Sequence, residues 1–565
     1  MEQRNLLIAG AVIIIVVVGA YALWPRQPAP GPGEDGEPEP TVPMKRVLRS
    51  TWAFPTYIDP HVYTDRSSGS AQYNLYDPLI KIGAGGTIEH WLAEEWTWSE
   101  DGLTLSMKIE EGVKFHDGTD LTAEDVAFSI NRQLIMGTGR GYILSPHLHT
   151  NVTATGDYTV ELYLKHPFGP LLSALNGWYI VNKDLVVENI IEGQYGDNGD
   201  FGSAWLVTND AGSGAYTVRS FILEEKLVME KFEDYWAGHG EKSPDIIEFL
   251  GTTEPITVRT MLANDELEYS DNWQSLESFL KIKEIPGVTI SALMGTTGNW
   301  NLMINTKKAP TDDVHFRRAL AYCLNYTKVV TTLFPGTVQA HGPINHAMLG
   351  FDPEVYQFYF DLDKAQEELS LSKYAANYTE YEIELHWVAE VPDEEKVSMM
   401  FAADADKIGI NIKVVRVPWT AYTQEAGMLE TSPHIGYVSA GGAFPEAGAY
   451  FVNRYHSATA ASWQQNEWLL NETLDAMIED ALATPDFDER MEKYSVLQHE
   501  LVRQCPTIWL YIGISWHAYP EYVTLEWVTN GEYMASSVLG DVYLSYGGES
   551  NFRLYEVDNL IEYGG

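Results

Sequence analysis

Cysteine is nearly missing from this chain. Cys323 and Cys505 are the 2 thiols in 565 residues, which excludes a disulfide framework as the source of stability. Positive charge is also scarce, with 36 Lys and Arg against 80 Asp and Glu and a formal charge of −44. Such a surface repels phosphate backbones, so nucleic acid is excluded as a partner. The signatures G-x-S-x-G, H-E-x-x-H, C-x-x-C and the P-loop are all absent. The run GTGRG at Gly137–Gly141 has the wrong glycine spacing for a dinucleotide fingerprint. No internal repeat recurs, and carboxylate pairs are too common in so acidic a chain to mark catalysis. These absences leave an enzyme as a weak hypothesis. No cofactor or metal is expected; the His147-x-His149 pair reads as surface histidines.

What is present begins with length. A chain of 565 residues exceeds one compact domain and suggests roughly three folding units. Apolar content of 45% is ample for real cores, and 17 Trp with 33 Tyr is a surplus of aromatic area. Flat rings of this kind fill cores and also line ligand clefts. Leu6–Trp24 is an uncharged apolar run long enough to cross a bilayer as a helix, with Arg4 before it. Residues 25–44 are rich in Pro, Gly and Glu and read as a semi-extended tether. Residues 1–24 are therefore expected to be a transmembrane anchor, holding the protein to the membrane with its body outside the cytoplasm. A cleaved signal peptide is the rival, because Ala20-Tyr21-Ala22 resembles a processing site. Sequons at Asn151, Asn325, Asn377 and Asn471 permit glycosylation there.

His116-Asp117 in VKFHDGTDLTAEDVAFSI, Val113–Ile130, raises the question of a metal or acid–base site. Local chemistry answers otherwise. Asp117-Gly118 is a tight-turn dipeptide. Thr122 is a good N-cap, with Asp125 placed as in a capping box and Leu121 and Val126 as a hydrophobic staple. The stretch reads as strand, turn and capped helix. Elsewhere strands and helices mix without a regular βαβ alternation, so an α/β fold of mixed type is expected. Phe316, Leu320, Cys323 and Leu324 follow helical spacing, which makes Cys323 a buried core thiol; a bridge to Cys505 is left open.

Four stretches, in order, carry a resemblance. They are GVKFHDGTDLTAEDVAFSINR, the Gly-led hairpin GSGAYTVRSF with EKFEDYWAG, NLMINTKKAPTDDVHFRRALAYCLNYTKVV, and the helical pair with strand from NETLDAMIEDA to CPTIWLY. Together they resemble the extracellular solute-binding proteins of family 5, the peptide and nickel type of ABC importer receptor. The resemblance covers Lys45 to the C-terminus.

It implies two lobes around a cleft, with an extra third domain. Lobe I would combine 45–84, 201–300 and 514–565; the extra domain would be 85–200; lobe II would be 301–513. Ligand would be captured by hinge closure and handed to a membrane permease, by a monomer. The implied cleft residues are Trp419 and Phe444 first, since similar positions line the cleft in the family. Trp52, Tyr57, Trp273, Trp300, Asn301 and Trp387 follow as aromatic or polar loop positions. In peptide-binding relatives a stretch like W-x-x-D-Y-P-D-P carries an aspartate for the peptide ammonium. Here Ala443 stands in its place and Glu446 replaces the second aspartate. A peptide is the first expectation for the ligand; a sugar or other polar metabolite, and a surface sensor that reuses the fold, are the alternatives.

Overall fold

The structure is a computed structural model and describes residues 43–563, except 53, 54, 56, 63–65, 84–86, 224, 390, 546–549 and the side chains of 66 and 295–297. The expected anchor at 1–24 and residues 25–42 of the tether expected at 25–44 lie outside the described residues. Among the described residues no helix is long and apolar enough to cross a membrane. Lys45–Ile561 form one unit.

The chain enters through β1 (Val47–Thr51) and α1 (Arg66–Leu75). It then builds an antiparallel sheet of its own from β2 (Ala93–Trp98), β3 (Thr104–Ile109), β4 (Thr153–Gly156) and β5 (Thr159–Tyr163), in the order β2-β3-β5-β4. Between β3 and β4 lies α2 (Ala123–Met136), whose buried residues Val126, Ile130 and Leu134 follow helical spacing and pack on Leu105, Val160 and Leu162. The next strands, β6 (Tyr216–Ile222), β7 (Lys226–Lys231) and β8 (Ile246–Leu250), return to β1 and give the order β1-β8-β7-β6. Only the β8–β1 pairing of that sheet is parallel, as a long crossover demands.

The helices α3 (Pro255–Ala263) and α4 (Leu276–Ile282) lead into the long strand β9 (Val288–Ile304). Beyond it come α5 (Val314–Cys323), β10 (Val338–Gln339), β11 (Glu382–Val388), α6 (Asp393–Asp406), β12 (Asn411–Val417), α7 (Trp419–Ala426), β13 (Ile435–Ala440), α8 (Ala447–Tyr455), α9 (Glu472–Ala483) and α10 (Phe487–Gln504). The strand β14 (Thr507–Pro520) runs back along β9, and β15 (Glu532–Ser536) and β16 (Asp541–Leu544) follow. The main path of this sheet is β10-β14-β9-β13-β11-β12.

The β9–β14 pair passes through two surroundings. Ser291–Met294 pair with β16, whereas Asn299–Ile304 pair with β13. Between these stretches the register breaks: Met294 faces Ile514 and Asn299 faces Ile512. Extra residues in one strand bend it and loosen the ladder at that point. Cys323 and Cys505 are free and buried in the core around α5 and β14. Burial pushes both thiols up to about 12, so they behave as small apolar groups.

The VKFHDGTDLTAEDVAFSI stretch folds as its local chemistry predicts. Phe115 N–H donates to Thr119 O at 2.9 Å, and Gly118 N–H to Phe115 O at 2.9 Å. Gly118 has φ 87°, which favours glycine. Asp117 Oδ1 accepts from Thr119 N at 3.0 Å. Thr122 N donates to Asp125 Oδ2 at 2.9 Å, closing the cap of α2. His116 is a strut: Nδ1 pairs with Asp210, and Nε2 donates to Gly214 O at 3.0 Å. Burial alone would lower its pKa, but the Asp210 carboxylate overrides burial and raises it. This side chain ties the β2–β5 sheet to the loop before β6.

Candidate functional site

Two cavities lie beside the register break in β9. The first, of about 500 Å³, is walled by Trp273, Trp300, Phe334, Tyr511 and Trp516. Its construction follows from strand pairing. Trp300 on β9 and Tyr511 on β14 are direct cross-strand partners, with ring centroids 5.8 Å apart and planes 16° off parallel. Tyr511 stacks in turn on Phe334 at 4.7 Å. The start of α6 supplies Asp393, Glu394 and Lys396 to the same wall. Lys396 is spoken for, with Nζ 2.6 Å from Asp393 Oδ1. Glu394 is 2% exposed, and its Oε2 accepts from Val388 N at 2.7 Å. Burial pushes its carboxyl up to about 8, so at neutral pH it is largely protonated. Trp273 projects from the other side and is 57% exposed.

The second cavity, of about 280 Å³, is lined by Arg140, Asn176, Asn299, Met348, Phe444 and the backbone of Gly441–Ala443, among others. Arg140 arrives by way of the glycine run GTGRG. Gly139 has φ 55° and lies against His61 O, where a Cβ would stand at 2.8 Å. The guanidinium then lies over Gly177, where a Cβ would meet Arg140 Cζ at 3.1 Å. Among the described residues its one side-chain hydrogen bond is to Ala443 O at 3.5 Å, and no carboxylate forms an ion pair with it. Beside it Asn299 is 1% exposed. Asn299 Nδ2 donates to Pro343 O at 3.0 Å, while its Oδ1 has no partner among the described residues.

The structure distributes the residues expected from sequence unevenly. Trp273 and Trp300 share the first cavity, and Phe444 lies in the wall of the second. Phe444 also packs edge-on against Phe168, 6.2 Å away, in the core of the β2–β5 sheet. Asn301 is fully buried, its Nδ2 donating to Asn299 O at 2.8 Å and Tyr450 Oη at 3.2 Å. Trp419 is a partly buried residue at the start of α7, edge-on to Trp463 at 5.1 Å. Tyr57 is half-buried, with its backbone N on Ser68 Oγ at 3.2 Å. None of these last three lines either cavity.

Three further expected positions are buried against protein in this structure. Trp52 is 1% exposed and stacked on His517, so protein already covers it. Trp387 is 3% exposed on β11, in the core of the large sheet, with Arg416 over its ring at 5.7 Å. Glu446 is fully buried. Its Oε1 accepts from Arg490 Nε and Tyr494 Oη, each at 2.7 Å, and Oε2 accepts from Ser173 Oγ. Three protein donors on a fully buried carboxylate turn it into the protein rather than toward either cavity.

Sequence reasoning missed Arg140, Asn299, Phe334, Glu394, Tyr511 and Trp516. For Tyr511 and Trp516 a signal existed: they stand in IWLYIGISWHAY, a strand too rich in aromatics for packing alone. Arg140 stands in GTGRG, a run whose spacing carries no sign of a ligand site.

Comparison with known proteins agrees with this architecture. Residues 87–462 match the family model of bacterial extracellular solute-binding proteins, family 5. The chain is 24% identical over 486 residues to a probable D,D-dipeptide-binding periplasmic protein of Escherichia coli K12, covering 83% of this chain and 89% of that protein. It is 24% identical over 497 residues to the dipeptide-binding protein of the same organism, again covering 83% and 89%. Among solved structures, an ABC transporter substrate-binding protein from Listeria monocytogenes superposes with a TM-score of 0.77 at 18% identity, covering 92% of this chain and all of that one.

Proposed function

Because the chain belongs to the bacterial extracellular solute-binding proteins of family 5, we propose that it is the extracytoplasmic receptor of an ABC importer and that its ligand is a short peptide or peptide-like solute held by a carboxylate. Two similar proteins are named for dipeptides, which supports the peptide class. The observation that carries the anchoring group is Arg140. A cation set into a cavity wall, in a chain of charge −44, with only a long backbone contact, is matched by a carboxylate that the ligand brings. Ala443 beside it cannot pair with an ammonium, and a buried ammonium without a partner is costly. The peptide is therefore oriented by its carboxylate at this point.

Capture follows from the crossing strands. The register break at Met294–Asn299 lies between the two surroundings of β9, and bending there changes the gap between the walls. A ligand that touches both walls only when they close shifts the population to the closed form. The lobe boundaries of this reading are 45–84, 201–300 and 514–565 for the first, 301–513 for the second, and 85–200 for the extra domain. The protein works as a monomer, tethered through residues 1–24, and presents its closed form to the permease.

The test is a thermal-shift screen of the full chain against tripeptides and sugars, followed by calorimetry of the strongest peptide. Peptides should raise the melting temperature. Arg140→Ala should weaken the best peptide at least about tenfold, and amidation of the peptide C-terminus should do the same. A response to sugars alone, or equal affinity in wild type and Arg140→Ala, overturns the reading.

A further inference from the structure

The aromatic cavity has a chemistry of its own. Trp273, Trp300, Phe334, Tyr511 and Trp516 line it, and a cation near aromatic faces is attracted by their quadrupoles. The buried carboxyl group of Glu394 lies in the same wall, and its Oε1 has no hydrogen-bond partner among the described residues. We propose that this cavity is a subsite for a cationic group of the ligand, a guanidinium or an ammonium, sandwiched by the aromatic rings and countered by Glu394. The proposal rests on the reading of this cleft as the ligand site, and adds which ligand side chain it selects.

The other charges around Glu394 leave this role open to it. On its own helix, Asp393 and Lys396 neutralise each other at 2.6 Å. From β14 and β13 the neighbours are the phenols of Tyr511 and Tyr437, which carry no charge at neutral pH. From β9 comes the neutral ring of Trp300. The loop that supplies Trp273 also holds Asp271, but its Oδ2 accepts from Thr51 Oγ1 at 2.9 Å and its Oδ1 from Trp273 N at 2.9 Å. Glu394 is thus the buried carboxyl group in this wall, and among the described residues no cation pairs with it.

A proton links binding to pH. Burial pushes the Glu394 carboxyl up to about 8. A bound cation favours the ionised form, so binding releases a proton and the cation's advantage grows as pH rises toward 8. With Arg140 at the second cavity, the favoured ligand is a peptide with a basic residue and a free carboxylate.

The experiment compares two sets of tripeptides, identical except that one carries arginine and the other its neutral isostere citrulline at each position in turn. Binding to the full chain is measured by calorimetry at pH 6.0 and 8.5. At least one arginine peptide should bind about tenfold or more tighter than its citrulline twin at pH 8.5, and that ratio should fall at least about fivefold at pH 6.0. The ratio cancels any titration of the peptide amine, which both twins share. Glu394→Gln keeps an acceptor for Val388 N–H and should bring the ratio close to one at both pH values, while citrulline peptides bind it as they bind wild type. Equal binding of the twins in wild type, or an unchanged ratio in Glu394→Gln, overturns the subsite and leaves the peptide reading standing. No binding by any tripeptide overturns both.

Discussion

Asp59→Ala should destabilise the protein by about 3–5 kcal/mol, seen as a large fall in the urea midpoint. Asp59 and Arg132 are fully buried. Arg132 Nη1 and Nη2 donate to the two carboxylate oxygens at 2.9 and 2.6 Å, and Nε donates to Phe201 O at 3.0 Å. The pair joins α2 to the loop after β1, so removing one member leaves an uncompensated charge inside. Burial alone would raise the Asp59 pKa, but Arg132 reverses this and holds it below the ordinary value. His61 completes the group. Its Nδ1 takes a hydrogen bond from Arg132 at 2.8 Å and its Nε2 faces Tyr179 O at 2.9 Å, which fixes the neutral ring. Burial, reinforced by Arg132, lowers its pKa from 6.5 to about 4. Both groups have depressed folded values, so both contribute stability that is complete above the unfolded values. The His61 part is lost as pH falls from 6.5 to about 4, and the Asp59 part as pH falls below the carboxylate range. The double change Asp59→Leu with Arg132→Met should recover most of the loss, because two matched apolar groups leave no charge unpaired. A loss below about 1 kcal/mol for Asp59→Ala would contradict this account.

Glu446→Ala should be comparably damaging, at about 3–5 kcal/mol, because it strands the Arg490 guanidinium in a dry site. Arg490 Nη1 would keep Thr484 O at 3.0 Å and Pro485 O at 3.1 Å, yet lose the one carboxylate that pairs with Arg490 among the described residues. Ser173, from the helix Leu171–Ala174, would lose its link to the N-terminus of α8. The discriminating comparison is between stability and affinity. A structural Glu446 predicts a large fall in urea midpoint, with peptide affinity little changed in the molecules that stay folded. A ligand-contacting Glu446 predicts the reverse, a stable variant that no longer binds.

The contrast between these buried pairs and the cavities explains what the sequence could and could not reveal. The turn and cap around Asp117, Gly118, Thr122 and Asp125 were legible because the bonds that close them span only a few residues. The mixed α/β architecture was legible through ordered motifs, and the aromatic surplus through residues such as Trp273 and Trp300, which share one cavity wall. The burial of Trp52 was not, because its cover is His517, brought back by β14 late in the chain. Glu446 was not, because its partners lie 273 residues before it and 44 after it. Arg140 and Glu394 were missed for a related reason. A lone arginine among glycines, or an acid at a helix start, is unremarkable until the fold shows which cavity it borders and that it lacks a matching charge.

The account's central claim is that ligand is held at the break in β9 by both walls of the cleft. Hydrogen–deuterium exchange of the full chain, with and without the strongest peptide from the screen, tests it most directly. Protection should appear together in 272–276, 294–300 and 440–445, the segments that bring Trp273, Trp300 and Ala443 to the two cavities. Unchanged exchange in all three segments under saturating peptide, or protection confined to a surface elsewhere, would contradict it.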